Sequence, residues 1–271
     1  MTNKGRYYLI AFALLGFAAG VNAQYYYGPP PPNKPALPNT DNTKKADKDF
    51  QPSGYITASF GLTTPLGAFA TNYGGGYGNY ALGGDAECIS AGIPLANTNV
   101  GVALMYGFYD NPYDLNAYVN SLSFIQNNQY YGIYNDDYAS QAIMAGLFYT
   151  WPIKKLSLDF RAMAGIVICQ LPEIAYGSPA TSVNAVQDYT WDYASSTSTA
   201  FGYDVGVGIR YKLRRSVCIS LNFDYIGTTP SYSTIETYTD DNGIVVSENP
   251  VSGSLPMSQF NVSFGIGYQF K

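Results

Sequence analysis

Phe260-Asn261-Val262-Ser263-Phe264-Gly265-Ile266-Gly267-Tyr268-Gln269-Phe270 is the stretch that decides the fold. Six apolar side chains at even numbers alternate with five small or polar ones at odd numbers. A period of two is a β-strand with one apolar and one polar face. Residues 199–213 repeat it: Phe201, Tyr203, Val205, Val207, Ile209, Tyr211 and Leu213 alternate with Gly202, Asp204, Gly206, Gly208, Arg210 and Lys212. So do 216–227 (Val217, Ile219, Leu221, Phe223, Tyr225), 155–169 and 99–109. Residues 139–151, 85–95 and 54–63 follow more weakly. Eight segments result, most of them near the length a tilted strand needs to cross a bilayer.

The connections alternate in length. Short ones lie at Ala96–Asn99, Pro152–Lys155 and Arg214–Ser216, and long ones at 64–84, 110–138, 170–198 and 228–256. An antiparallel meander places alternate connections at opposite ends, so all short turns share one end and all long loops the other. Charge sorts the same way. The long loops contain no Lys or Arg, and three of them hold Asp110, Asp114, Asp136, Asp137, Glu173, Asp188, Asp192, Glu236, Asp240, Asp241 and Glu248. The short turns carry Lys154, Lys155, Arg214 and Arg215. Short periplasmic turns and long external loops are the layout of a bacterial outer-membrane barrel. An even strand number leaves both termini periplasmic.

Composition agrees. Charged residues are 12% of the 271, about half the usual share of a soluble domain, while aromatics reach 16% with 27 Tyr, beside 28 Gly. The start reads as a secretory leader over 1–23: Lys4 and Arg6, an apolar run from Tyr7 to Ala19, then small residues at Val21-Asn22-Ala23. That run is too short to span a bilayer as a helix. Residues 24–53, with four prolines from Pro29 to Pro32, read as an extended periplasmic tail. Removing the leader leaves 12 basic residues (14 less Lys4 and Arg6) against 19 acidic, a net of −7, which argues against nucleic acid as a partner. Cys88, Cys169 and Cys218 are odd in number and lack metal-like spacing, so small packed side chains are the expectation.

A soluble sandwich also alternates, but three features favour a closed barrel in lipid. The polar faces are rich in Gly, Ser and Ala, which suit a crowded narrow interior. The apolar faces carry aromatics toward both ends: Tyr106, Phe108, Phe201, Tyr203 and Tyr225 toward the loops, Tyr149, Trp151, Tyr211, Tyr268 and Phe270 toward the turns. These are two candidate interfacial girdles. Closure is also demanded in lipid, where an open edge leaves backbone groups unpaired.

Gly54–Phe60 followed by Thr64-Pro65-Leu66-Gly67-Ala68-Phe69, the eight-strand meander, and the closing Tyr268-Gln269-Phe270-Lys271 resemble the small outer-membrane β-barrels of the OmpA/OmpX type. The resemblance covers about residues 54–271. It implies an all-β, closed, up-and-down transmembrane barrel of eight strands, embedded in outer-membrane lipid. It also implies assembly by the barrel-assembly machinery, which reads a C-terminal aromatic; here Phe270 is penultimate, before Lys271. With no further domain after the barrel, a cell-wall anchor of the OmpA kind is not expected.

Catalytic chemistry is mostly absent. The chain has no His, so the His-activated Ser and Cys arrangements cannot be built. Ordinary zinc sites are equally unexpected, and no cofactor fingerprint occurs. Gly74-Gly75-Gly76 reads as a flexible loop tip. Two constellations remain. Asp159, Arg161, Asp204, Arg210, Lys212 and Asp224 fall on inward faces, which favours an ion-pair network plugging the barrel over a proton or cation site. The loop acids, with Tyr and Asn runs such as Asn127-Asn128-Gln129-Tyr130-Tyr131, read first as a solvated surface and second as a site for an extracellular ligand or cation. Asp240-Asp241-Asn242-Gly243 predicts a hairpin in the fourth loop.

The expectation is thus a non-enzymatic outer-membrane protein. A filled barrel anchors acidic, Tyr-rich loops for surface or adhesive contacts. A narrow cation-preferring channel is the alternative; stable conductance steps in a planar bilayer would decide for it.

Overall fold

A computed structural model describes residues 53–71, 79–96, 98–126, 129–179, 189–214 and 216–270. The leader, most of the Pro-rich tail, Gly74-Gly75-Gly76, Asn127-Asn128, Asp188, Arg215 and Lys271 lie outside the described residues.

Eight strands close a barrel: β1 (Gly54–Leu66), β2 (Gly84–Pro94), β3 (Val100–Asn111), β5 (Tyr138–Ile153), β6 (Leu156–Leu171), β9 (Ser196–Lys212), β10 (Val217–Thr228) and β13 (Met257–Phe270). Each pairs antiparallel with its two neighbours, and β1 pairs with β13 to complete the ring. The eight alternating segments of the sequence correspond to these eight strands, with ends shifted by one to three residues.

The register fixes the tilt. A trail of directly opposed residues runs Phe160, Val207, Phe223, Val262, Leu62, Asp85, Asp110, Ala139 and back to β6 at Gln170. It returns ten residues from its start (170 less 160). With strands about 4.8 Å apart and rising about 3.3 Å per residue, that shear tilts them by about 40°.

The barrel is inside-out relative to a soluble domain. Leu62, Leu104, Ile143, Leu147, Val205 and Ile266 point outward and are exposed, whereas Asn222, Asn261, Gln269, Ser220 and Ser263 are buried inside. An apolar belt facing out and a polar lining facing in are what a transmembrane barrel requires. No described helix is long and apolar enough to cross a membrane. The belt is shorter than the strands. β6 and β9 run side by side for sixteen residue pairs, about 40 Å at this tilt. The apolar band of such barrels is about 25 Å tall, so the loop end stands clear of it.

That protruding end differs from the expectation of a solvated loop surface. The connections fold into a second sheet built from β4 (Tyr131–Asn135), β7 (Ile174–Ser178), β8 (Tyr189–Tyr193), β11 (Ser231–Thr239) and β12 (Val245–Ser254). Its five strands lie in the order β12-β11-β8-β7-β4. Helix α1 (Leu115–Gln126) joins it from the second long connection. Asp114 caps α1 by accepting the Ala117 amide at 3.0 Å. Leu115, Tyr118, Val119 and Leu122 are its buried stripe, at helical spacing. The β11–β12 hairpin turns where the sequence predicts, at Asp240–Gly243. Asp240 Oδ1 accepts the Asn242 and Ile244 amides, and Gly243 takes φ +74°, a conformation glycine reaches without cost.

Candidate functional site

Inside the barrel, inward glycines make the room that large side chains fill. A Cβ on Gly92 would lie 2.4 Å from the Tyr55 ring, and one on Gly101 2.3 Å from the Phe148 ring. Tyr55 and Phe148 meet edge to face at 5.6 Å and close the lower half of the lumen. The Arg210 guanidinium sits 4.0 Å over the Tyr55 ring.

Four of the six inward charges form two separate pairs. Arg210 donates to Asp159 at 3.0 Å, and Thr150 donates to the same oxygen at 2.6 Å. Arg161 reaches across β9 to Asp224 at 2.6 Å and also donates to Asn222 at 3.2 Å. It can span the strand because Gly206 lies directly between Arg161 and Asp224 in register. A Cβ there would sit 1.9 Å from Asp224 Oδ1. Asp204 is fully buried but stands in neither pair. Lys212 is half-buried at the turn end and makes no ion pair among the described residues.

Sequence reasoning singled out the charges but passed over Tyr55, Phe148, Thr150 and Asn222. Their signal is positional: each sits on the inward parity of its strand. Tyr55 and Phe148 turn inward where Gly92 and Gly101, directly opposite them, leave room for a ring.

The outward aromatics fall at two heights. Tyr203 and Tyr211 on β9 are eight residues apart, about 20 Å along the axis at this tilt. Tyr203 packs beside Tyr225 at 6.1 Å nearer the loops; Tyr149 packs beside Phe160 at 6.4 Å nearer the turns. Tyr106 donates to Gln141 at 3.1 Å on the outer face, with Phe108 opposite that glutamine. Phe201 and Tyr268 are exposed, and Trp151 is more than half exposed at 56%. Phe270 folds its ring over Gly54 on β1.

Above the lumen lies an aromatic core that the sequence reading did not foresee. Phe69 and Tyr138 pack at 5.0 Å, Tyr80 and Tyr118 at 5.4 Å, and Tyr118 against Tyr176 at 5.5 Å. Tyr176, Tyr193 and Trp191 share one face of the five-stranded sheet, with Tyr176 and Trp191 stacked at 5.3 Å. Each such pair adds about 0.5–1.5 kcal/mol beyond its area. Burial raises the Tyr118 and Tyr193 hydroxyls well above the ordinary phenol value and pushes Tyr176 to about 12. These rings stay neutral donors throughout the working pH range.

Several loop acids serve this core. Tyr193 donates to Glu236 at 2.5 Å. Tyr134 donates to Glu173 and lies 3.2 Å from Asp192. Partial burial pushes the Asp192 carboxyl up; the Tyr134 hydrogen bond opposes this and the Glu173 charge adds to it. Asp114 and Asp240 cap backbone amides. Among the described residues no group of three or more His, Cys, Asp or Glu is placed to hold a metal.

No family model matches this chain, and no curated protein does. Solved structures do. Neisserial surface protein A superposes with a TM-score of 0.44 at 14% identity, over 80% of this chain and 97% of that one. A major outer membrane protein from Thermus thermophilus gives 0.42 at 15%, over 80% and 98%. Ail, the attachment invasion locus protein of Yersinia pestis, solved with the heparin analogue sucrose octasulfate, gives 0.42 at 12%, over 82% and 100%. The barrel assignment rests on the strand pairing of this chain itself.

Proposed function

We propose that this chain is a non-enzymatic protein of the outer membrane, its barrel a filled anchor and its loop end a rigid collar for surface contacts. The periplasmic turns and termini lie at one end and the collar outside the cell. One observation carries the reading. The collar is an independent sheet with its own aromatic core, yet Phe124, Ile125, Tyr131, Ile133 and Tyr134 stay exposed on α1 and β4. Exposed apolar side chains grouped on an ordered scaffold mark interaction surfaces. The packed lumen supports an anchor over a channel, because the ion pairs and the Tyr55–Phe148 contact occupy its cross-section.

Replacing residues 114–136, 173–194 and 230–255 by short turns tests this. The trimmed barrel is expected to fold, read by the mobility difference between heated and unheated gel samples. Cells displaying it are expected to lose adherence to immobilised glycans and matrix proteins that cells with the full chain retain. Equal adherence by both would place any contact outside the collar. A trimmed chain that cannot fold would make the collar part of the barrel's stability.

A further inference from the structure

Among the described residues, five charged side chains are buried in the lumen: Asp159, Arg161, Asp204, Arg210 and Asp224. Two arginines neutralise two of the aspartates through the bridges at 2.6 and 3.0 Å. Asp204 remains, 0% exposed, with neither carboxylate oxygen meeting a hydrogen-bond partner among the described residues.

Its surroundings repeat the pattern. Asp224 stands directly opposite Asn261 on β13, which stands opposite Thr63 on β1. Asn261 is 3% exposed and Thr63 1%, and neither the Asn261 amide atoms nor Thr63 Oγ1 has a hydrogen-bond partner among the described residues. Asp204 lies diagonally from Asp224, two residues above Gly206, and that glycine puts no side chain between the two carboxylates. Asp204, Asn261 and Thr63 thus turn unpartnered polar oxygens into the lumen above the Arg161–Asp224 bridge, each step from β10 to β13 to β1 climbing about 3 Å toward the loops at this tilt, with the buried Met163 and Ile226 directly opposite Asp204 on its two flanking strands.

An ionised carboxylate this deep costs several kcal/mol unless something compensates it. The available donors are carboxylate, amide and hydroxyl oxygens, all hard ligands. The uncompensated charge is a single negative one, because Arg161 already holds Asp224. We propose that Asp204, Asn261 and Thr63 form an internal site for one hydrated monovalent alkali cation, Na⁺ or K⁺. The site holds the ion and does not pass it on, since Arg161 and Arg210 place two positive charges on the way toward the turns. This inference does not depend on what the collar contacts.

The full chain, refolded in detergent, tests it in two ways. Crystals grown in rubidium chloride are expected to show an anomalous peak in the lumen beside Asp204. In solution, replacing choline chloride by potassium chloride at equal ionic strength is expected to raise the thermal midpoint by roughly 3–6 °C at tenfold saturation. Asp204→Asn keeps the shape and is expected to abolish that rise, while sharing any effect of the acidic collar. Absence of the rubidium peak, or an equal potassium effect in both proteins, would overturn the site and leave a proton on Asp204. If Asp204→Asn does not fold, the rubidium experiment on the natural chain decides alone.

Discussion

Arg161 ties its own strand to β10 across the intervening β9. Its guanidinium binds Asp224 at 2.6 Å and Asn222 at 3.2 Å, both on β10, while its own strand is β6. Truncating it leaves Asp224 buried and charged beside Asp204. Arg161→Ala is expected to cost about 3–5 kcal/mol in urea unfolding from lipid vesicles, whereas Arg161→Met with Asp224→Leu recovers most of that. Equal losses in the single and double variants would show that packing, not charge, sets the cost. The alternation in the sequence placed all four charges of the two bridges inside. It did not pair them, because a residue's inward parity is local while its partner depends on the shear between strands.

At the scale of elements, the collar sheet is held by side chains that titrate. Asp192 on β8 has its carboxyl raised by partial burial and by Glu173. A carboxyl raised in the fold favours the fold when protonated. The contribution is full below the ordinary Asp value and is lost as pH rises through the raised one. Amide exchange in β7 and β8, corrected for intrinsic rates, is therefore expected to quicken as pH rises through that window. Asp192→Asn is expected to flatten the dependence. An unchanged slope in the variant would assign the pH response to another group. Legibility at this scale was uneven. The β11–β12 turn was readable because the turn chemistry of Asn242-Gly243 is local. Helix α1 was also written in the sequence, as Asp114 before Leu115, Tyr118, Val119 and Leu122, but a reading tuned to period two missed a period of 3.6. Strands β4, β7 and β8, five residues each, are too short to show any period.

At the largest scale, the described residues from Ser53 onward form a plugged cylinder with a built cap. Tyr55, Phe148 and the two ion pairs fill the lower lumen, and Phe69, Tyr138 and Tyr80 pack above it. In a planar bilayer the refolded chain is expected to be silent, and Tyr55→Ala with Phe148→Ala to open small, irregular steps. Stable cation-selective steps from the natural chain would mean a continuous water path and would move the reading to a channel.

The sequence carries the number of barrel strands, the outward side of the five that alternate clearly, and the end that bears the long loops. Each of these is a one-dimensional property: alternation is carried within a strand, and connection length within a loop. That Arg161 pairs with Asp224, that Asp204 pairs with neither arginine, and that three separate connections share one sheet emerge only on folding. Those outcomes depend on a shear of ten residues around a closed ring and on contacts between segments far apart in the chain. Closure sums every register at once, and no single strand contains that sum.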